Sequence, residues 1–269
     1  WSDWSPRLVA DYHFNDNGMA FASLAKGYKA GGYNALQIGP AFDNEDVWNF
    51  ETGIKQAFAN RFSYNASLFY YDYANRQAVR LIDPDPTNPT DIPRFVIDTG
   101  DLEAWGIDFD TRWQVTDAFG VDLQAEWIDS TYKSYTTPEG VNLDGQPTGE
   151  PYLAASIGAS YVFDLADNGD LRMSARHAYR GKRRCNDGSE LQGECLPNSR
   201  FESVASNRTD VRLGWTSPLG HWGWAVYGNN VFDNRYVTGL NTYGKDVLGV
   251  VGATVSEPRT YGLEVTVKY

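Results

Sequence analysis

Apolar and polar residues alternate with a period of two along most of the chain, and this pattern predicts β-strands with two different faces. In one stretch Trp105, Ile107 and Phe109 share one face, while Asp108 and Asp110 share the other. Helical periodicity is almost absent, so the pattern predicts an all-β fold. We expect eleven strands, at about 6–14, 19–30, 46–58, 62–81, 102–116, 120–134, 151–165, 171–182, 203–216, 222–237 and 258–269.

The connections between these predicted strands alternate between short and long. The short ones are rich in Asn, Asp and Gly, as hairpin turns require, and lie at 15–18, 59–61, 117–119, 167–170 and 218–221. The long ones lie at 31–45, 82–101, 135–150, 183–202 and 238–257. The second of them carries the proline-rich segment Asp83–Pro93, which neither a strand nor a helix would tolerate. All long connections are therefore expected at one end of the sheet.

This loop arrangement separates two all-β architectures. A soluble sandwich or propeller has no reason to place long loops at one end, whereas outer-membrane barrels have short periplasmic turns and long extracellular loops. Composition favours the barrel, because aromatic residues are 14% of the chain while mean hydropathy is only −0.49. Many Trp and Tyr side chains with few aliphatic ones suit two membrane boundaries. No apolar run of about 18 residues predicts a transmembrane helix.

Net charge and residue spacing argue against nucleic-acid binding, a metal site and catalysis. The net charge of −12 argues against nucleic acid as a partner. The three histidines, His13, His177 and His221, fall on separate strands or turns without metal-ligand spacing. No catalytic group, metal or cofactor is expected, and the protein is not expected to be an enzyme.

A row of basic residues is the most distinctive polar feature. These residues share the polar parity of one predicted strand: Arg172, Arg176, Arg180, Lys182 and Arg184. In an extended strand they would climb the barrel interior toward the long loops. They either pair with interior acids such as Asp122, Glu126 and Asp210, or the upper three draw in an anionic ligand.

Two cysteines, Cys185 and Cys195, lie in the fourth long connection. A disulfide between them would rigidify an exposed loop in an oxidising compartment, and two free thiols is the alternative.

Six short motifs, in order along the chain, resemble those of TonB-dependent outer-membrane receptors. They are AKGYKAGGYN at 25–34, ETGIK at 51–55, FYYDY at 69–73 with Gln77 following, GIDFD at 106–110, NVFDNRY at 230–236 and PRTYG at 258–262. Each motif is weak alone, and their shared order carries the resemblance.

The resemblance implies that residues 1–269 are the C-terminal half of an antiparallel transmembrane barrel of about 22 strands. The plug domain, the TonB box and the first barrel strands would then lie upstream of Trp1. The implied location is the outer membrane of a Gram-negative bacterium. The implied function is active uptake of a scarce nutrient, with a ferric siderophore expected first; a passive porin or a soluble all-β binding domain are the alternatives.

The same resemblance implies the partners: TonB, an iron–siderophore or similar ligand, outer-membrane lipid and lipopolysaccharide, and the barrel assembly machinery. The last strand alternates up to the final residue, and Tyr261, Leu263, Val265, Val267 and Tyr269 are expected to face lipid. The resemblance further implies that the terminal aromatic, Tyr269, is an assembly signal.

Overall fold

Eleven antiparallel strands form one continuous sheet, in which each strand pairs with its neighbour in sequence. The structure is a computed structural model that describes residues 1–33, 41–59, 61–82, 94–191, 204–241 and 252–268. The strands of this sheet are β1 (Arg7–Asn15), β2 (Gly18–Lys29), β3 (Glu45–Phe58), β4 (Phe62–Ile82), β5 (Arg94–Gln114), β6 (Phe119–Ser134), β7 (Leu153–Asp164), β8 (Asp170–Arg180), β9 (Ser206–Thr216), β10 (Trp222–Asn229) and β13 (Thr260–Val267).

Three short elements lie in the connections. A hairpin of β11 (Val237–Asn241) and β12 (Gly252–Val255) lies between β10 and β13. A 3-10 turn covers Ala166–Asn168, and the five-residue helix α1 covers Asp187–Leu191. Neither is long or apolar enough to cross a membrane, and the described ranges contain no helix that is.

The eleven predicted strands form the main sheet, and the alternation of short and long connections is confirmed; the hairpin of β11 and β12 was not predicted. Two predictions of extent were wrong. Residues 94–101, expected in a loop, extend β5, and 94–100 pair with 76–82 of β4, because the two strands continue as one long hairpin. β10 ends at Asn229 rather than at 237, because Asn230 and Asp233 have positive φ angles of 48° and 53° that end the strand. Segment Asp83–Pro93 lies outside the described residues.

The two faces of the sheet differ as the alternation predicts. Large apolar side chains are exposed on one face, among them Trp105, Trp113 and Leu263. On the opposite face arginines pair with carboxylates across strands, as Arg212 does with Glu264 at 2.9 Å. An apolar face without a covering layer is the outer surface of a membrane barrel, and the polar face lines its interior. β1 and β13 lie at the two ends of the open sheet.

Glycines on the polar face make room for aromatic rings on neighbouring strands. The paired residues, glycine first, are Gly53 with Phe21, Gly106 with Phe69, and Gly262 with Tyr227. A Cβ at Gly106 would lie 3.0 Å from Phe69 Cε1, and one at Gly53 would lie 2.8 Å from Phe21 Cε1. All three glycines belong to the short motifs, so these motifs mark places where a ring covers the facing strand.

Candidate ligand-binding surface at the long-loop end

The lower part of the basic row lies in the barrel interior and pairs with acids. Arg176 Nη2 lies 2.6 Å from Asp122 Oδ2, and its Nη1 donates to Ser156 Oγ. Gly158 lies between these partners, and a Cβ there would lie 2.9 Å from Asp122 Cγ. The predicted pairing with Asp122 is therefore present. Of the other two predicted partners, Glu126 and Asp210, the latter instead accepts two hydrogen bonds from Arg208.

The upper part of the row does not continue as one ladder, because β8 ends at Arg180. Arg180 pairs with Glu150 at 3.0 Å, at the end of the third long connection. Lys182 is exposed and makes no ion pair within the described residues. Arg184, only 10% exposed, pairs with Asp129 at 2.5 Å. The three candidate ligand contacts thus meet different surroundings, and ligand binding by them stays a prediction.

Arg184 is the most strongly held of the three. Its Nε donates to the Glu150 carbonyl and its Nη2 to the Ser130 carbonyl, both at 2.8 Å. Its guanidinium lies 4.1 Å from the centre of the Tyr152 ring, a cation–π contact. Tyr152 in turn stacks on Trp127, which lies on the apolar face. Arg184 therefore joins the loop after β8 to the outer rim rather than to the interior.

Residues 135–151 and 184–189 fold together above β6. Gln146 Nε2 donates to Asp187 Oδ2 at 2.9 Å, and Asn186 Nδ2 donates to the Pro147 carbonyl at 2.7 Å. Leu143, with 1% exposure, is the most buried apolar side chain in the described part of the chain. We call these two segments the loop platform. The third long connection and the described beginning of the fourth thus form one ordered surface at the long-loop end of the sheet.

A second ordered region, which we call the Asn230 corner, ties the last long connection to β9 and β13. Asn230, only 3% exposed, donates through Nδ2 to the carbonyls of Asn234 and Glu257, both at 3.0 Å. Its backbone N–H donates to Asp210 Oδ1 at 2.8 Å. The NVFDNRY motif lies here, but its role as a corner was not predicted from the sequence. The available signal was its Asn and Asp residues, which tolerate positive φ angles.

Asp233 holds the other side of the Asn230 corner. Its Oδ1 accepts from the Arg259 backbone N–H at 2.9 Å and from Arg235 Nε at 3.0 Å. The hydrogen bond from the Arg259 N–H, followed by that from Arg235, lowers the pKa of the Asp233 carboxyl below its usual value.

Two of the predicted site residues lie outside the described residues, namely Cys195 and Tyr269. No cysteine is free among the residues that are described. Because one partner is not described, the bridge from Cys185 to Cys195 stays a prediction. Within the described ranges, no group of three or more His, Cys, Asp and Glu side chains is arranged to hold a metal ion.

Comparison with known families decides what this barrel is. The family described as TonB dependent receptor-like, beta-barrel matches residues 1–231. The chain belongs to the TonB-dependent receptor β-barrel family. Its members are transport receptors rather than enzymes, and membership implies the outer membrane of Gram-negative bacteria.

Solved TonB-dependent receptor barrels and related transporters share the fold. The ferric yersiniabactin uptake receptor FyuA from Yersinia pestis is 21% identical with a TM-score of 0.72, over 98% of this chain and 37% of that one. The ferric preacinetobactin receptor BauA from Acinetobacter baumannii is 18% identical with a TM-score of 0.68, over 97% and 36%. The copper transporter OprC is 12% identical with a TM-score of 0.67, over 97% and 38%.

This chain therefore spans between 36% and 38% of the length of these three proteins. Sequence identities at this level establish a shared fold. They do not establish which cargo this TonB-dependent receptor barrel carries.

Proposed function

We propose that this chain is the C-terminal half of the barrel of a TonB-dependent receptor that takes up a ferric siderophore. The observation that carries the proposal is the family match over residues 1–231, joined to a sheet whose long connections all lie at one end. FyuA and BauA, two proteins of the same fold, are described as receptors for ferric ligands. The plug and the TonB box belong to the upstream part of the protein in this proposal.

The loop platform and the basic residues beside it supply the ligand contacts in this proposal. Ferric siderophores that carry net negative charge are attracted by Arg and Lys, which donate charge-assisted hydrogen bonds to oxygen ligands. Lys182 is exposed, and Arg180 has one carboxylate partner, so both retain donors for a ligand. Arg184 has three of its donors engaged by protein oxygens, and its contribution to binding is expected to be smaller.

Uptake measurements test the function. The full-length receptor is expressed in a Gram-negative host that lacks its own siderophore receptors, and entry of radiolabelled iron is measured with a panel of siderophores. Uptake that disappears when the host lacks TonB supports the proposal. Entry of small solutes without TonB would instead indicate a passive porin. TonB-dependent uptake of copper but not of iron would show that the cargo is copper rather than a ferric siderophore.

Charge reversal tests the contacts. Arg180→Glu with Lys182→Glu is expected to weaken siderophore binding, while Arg172→Glu is the matched control on the same strand face near the periplasmic turn. If the double variant reaches a normal surface level and binds the siderophore with unchanged affinity, these two residues do not contact the ligand.

Three further residues complete the proposal, the two cysteines and the terminal tyrosine. Titration of thiols on intact cells without reductant is expected to find none at Cys185 and Cys195; two reactive thiols would contradict the bridge.

Deleting Tyr269 is expected to lower the amount of receptor in the outer membrane more than its ligand affinity. A normal surface level of that deletion would remove the assembly role.

A further inference from the structure

The polar interior face of the sheet contains a pocket of about 270 Å³ between β8 and β13, close to the short turns. Its floor is a row of directly paired residues that runs across four strands. In this row Arg172 pairs with Gly214, and Gly214 pairs with Ala225. Ala225 in turn pairs with Glu264 on β13. The two central residues are the shortest in the row, so a space remains between its charged ends.

Basic side chains predominate around this pocket. Of the described residues, three basic and one acidic line it, namely Arg172, Arg212, Lys268 and Glu264. Arg212 holds the acid, because its Nη1 and Nη2 donate to the two Glu264 carboxylate oxygens at 3.2 and 2.9 Å. Arg172 and Lys268 are exposed and make no ion pair within the described part of the chain. Asp170, two residues below Arg172, does not line the pocket. The pocket therefore retains donors for an anionic group.

Arg172 differs from the other interior arginines of β8 and β9. Arg176 and Arg180, which lie further along β8 toward the long loops, each have a carboxylate partner within 3.0 Å. Arg208 and Arg212 on β9 each pair with a carboxylate at 2.9 Å. Among the described residues, Arg172 is thus the one arginine of these two strands whose charge is not neutralised by a carboxylate. The unneutralised positive charge of this wall therefore lies at its periplasmic end.

We propose that this pocket is a second binding site for the anionic group of the transported ligand, at the periplasmic exit of the barrel interior. The inference rests on the proposed function, in which the ligand enters at the loop platform and leaves beside the short turns. The planar guanidinium of Arg172 offers paired donors that match carboxylate-like oxygens. A site on an exit path must also release its ligand, and exposed cations screened by water bind weakly enough for that.

The charge of the pocket is tested in the full-length receptor with Ser174→Cys, a small change in the lining. The thiol in isolated outer membranes is reacted with an anionic sulfonatoethyl and a cationic trimethylammonioethyl methanethiosulfonate, and the receptor without this cysteine gives the background. Arg172→Gln is expected to lower the ratio of the anionic to the cationic rate about fivefold at low ionic strength. The reason is that a unit charge two strand residues away lies about 7 Å from the thiol.

Two further variants control for the charge and its position. Arg172→Lys keeps the charge and should keep the ratio of the parent. Arg112→Gln is the matched control, because Arg112 lies on the interior face near the periplasmic end of β5 and does not line the pocket. Arg112 likewise makes no ion pair in the described ranges, so its loss changes the net charge of the interior equally. The ratio is expected to stay at the parent value in this control.

Uptake of the radiolabelled ferric siderophores of the panel tests the role in transport. Arg172→Gln is expected to lower the uptake rate about threefold and to leave the affinity at the cell surface unchanged, whereas Arg172→Lys and Arg112→Gln keep the parent rate. If Arg172→Gln inserts poorly, Arg172→Met is measured in the same way.

Three outcomes would overturn the proposal. The first is an equal reagent ratio in the parent and in Arg172→Gln. The second is a thiol that neither reagent reaches, which would mean that the upstream part of the protein covers the pocket. The third is a changed ratio with normal uptake. The reagent ratio does not depend on the cargo, so a receptor that carries no ferric siderophore would contradict the proposed function and leave the charge of the pocket as a separate result.

Discussion

The Arg184 guanidinium lies over the Tyr152 ring while its Nη1 donates to Asp129 Oδ1 at 2.5 Å, which fixes the loop platform to the rim at β6. Cutting Arg184 to Ala leaves a partly buried carboxylate and two carbonyls without their donor. We expect a loss of about 2–3 kcal/mol in the free energy of unfolding. Denaturant unfolding of the detergent-solubilised full-length receptor measures this loss.

The control for this change is the exposed pair of Arg61 and Asp117, which lies at a short turn with an N–O distance of 2.6 Å. Arg61→Ala is expected to cost no more than about 1 kcal/mol, because exposed pairs are screened by solvent. Similar losses in the two variants would contradict the special role of Arg184.

The Asn230 corner makes a second prediction. Asn230→Ala removes three side-chain hydrogen bonds at a buried site and places a residue with a Cβ at φ 48° without the local bonding that favours Asn there. The expected cost is about 3 kcal/mol. Asn230→Gly accepts the same φ without strain and should lose about 1 kcal/mol less. Equal stability of the two variants would show that the backbone angle contributes nothing.

Gly106 and Phe69 give a third prediction. In Gly106→Ala the new Cβ would overlap both the Trp127 backbone carbonyl and the buried Phe69 ring, whose Cε1 would lie 3.0 Å away. We expect a loss of about 1–3 kcal/mol from overpacking. Gly120→Ala is the control, because its nearest neighbour is the flexible Gln114 side chain at 3.2 Å. Adding Phe69→Leu to Gly106→Ala should recover the part of the loss that the ring causes, and no recovery would make the Trp127 carbonyl the sole obstacle.

Asp233 predicts a pH dependence. Its folded-state pKa is lowered, first by the Arg259 N–H and then by Arg235, so the ionised carboxylate stabilises the Asn230 corner. That contribution is complete above the unfolded carboxyl pKa of about 3.9 and is lost as the pH falls through the lower folded value. The stability difference between wild type and Asp233→Asn should be constant from about pH 7 to about pH 5 and shrink below about pH 4.

Unfolding midpoints of the two proteins across this pH range give the measurement. A difference that grows on acidification would reverse the sign of the argument.

The sheet was predictable because period-two alternation records which residues face lipid and which face the interior. Strand parity placed Arg176 correctly beside Asp122 in the barrel interior. The same parity failed for Arg184, since the chain leaves the strand after Arg180 and parity has no meaning in a loop. The partners of Arg184, Asp129 and Tyr152, are 55 and 32 residues away in sequence, a distance that no local pattern records.

The long hairpin of β4 and β5 was missed for a different reason. Residues 98–101, Asp-Thr-Gly-Asp, have the composition of a loop, and their polar side chains gave no alternation. Their strand structure comes from backbone pairing of 98–100 with 76–78 and of Asp101 with Ser134, beyond the apolar band where a side-chain pattern is required. Side-chain periodicity therefore predicts the membrane-facing part of a strand. It does not predict how far the strand extends into water.

That extension sets the shape of the entrance. β4 and β5 each have 21 residues, whereas β9 and β10 have 11 and 8. About ten residues cross the membrane, so at ~3.3 Å per residue and a tilt of ~40° the remaining residues of each long strand cover about 28 Å along the barrel axis. The strand-built wall is therefore tall on one side and low on the other. A bulky solute approaching the cell meets a rigid screen on that side, which biases its direction of approach before any loop contacts it.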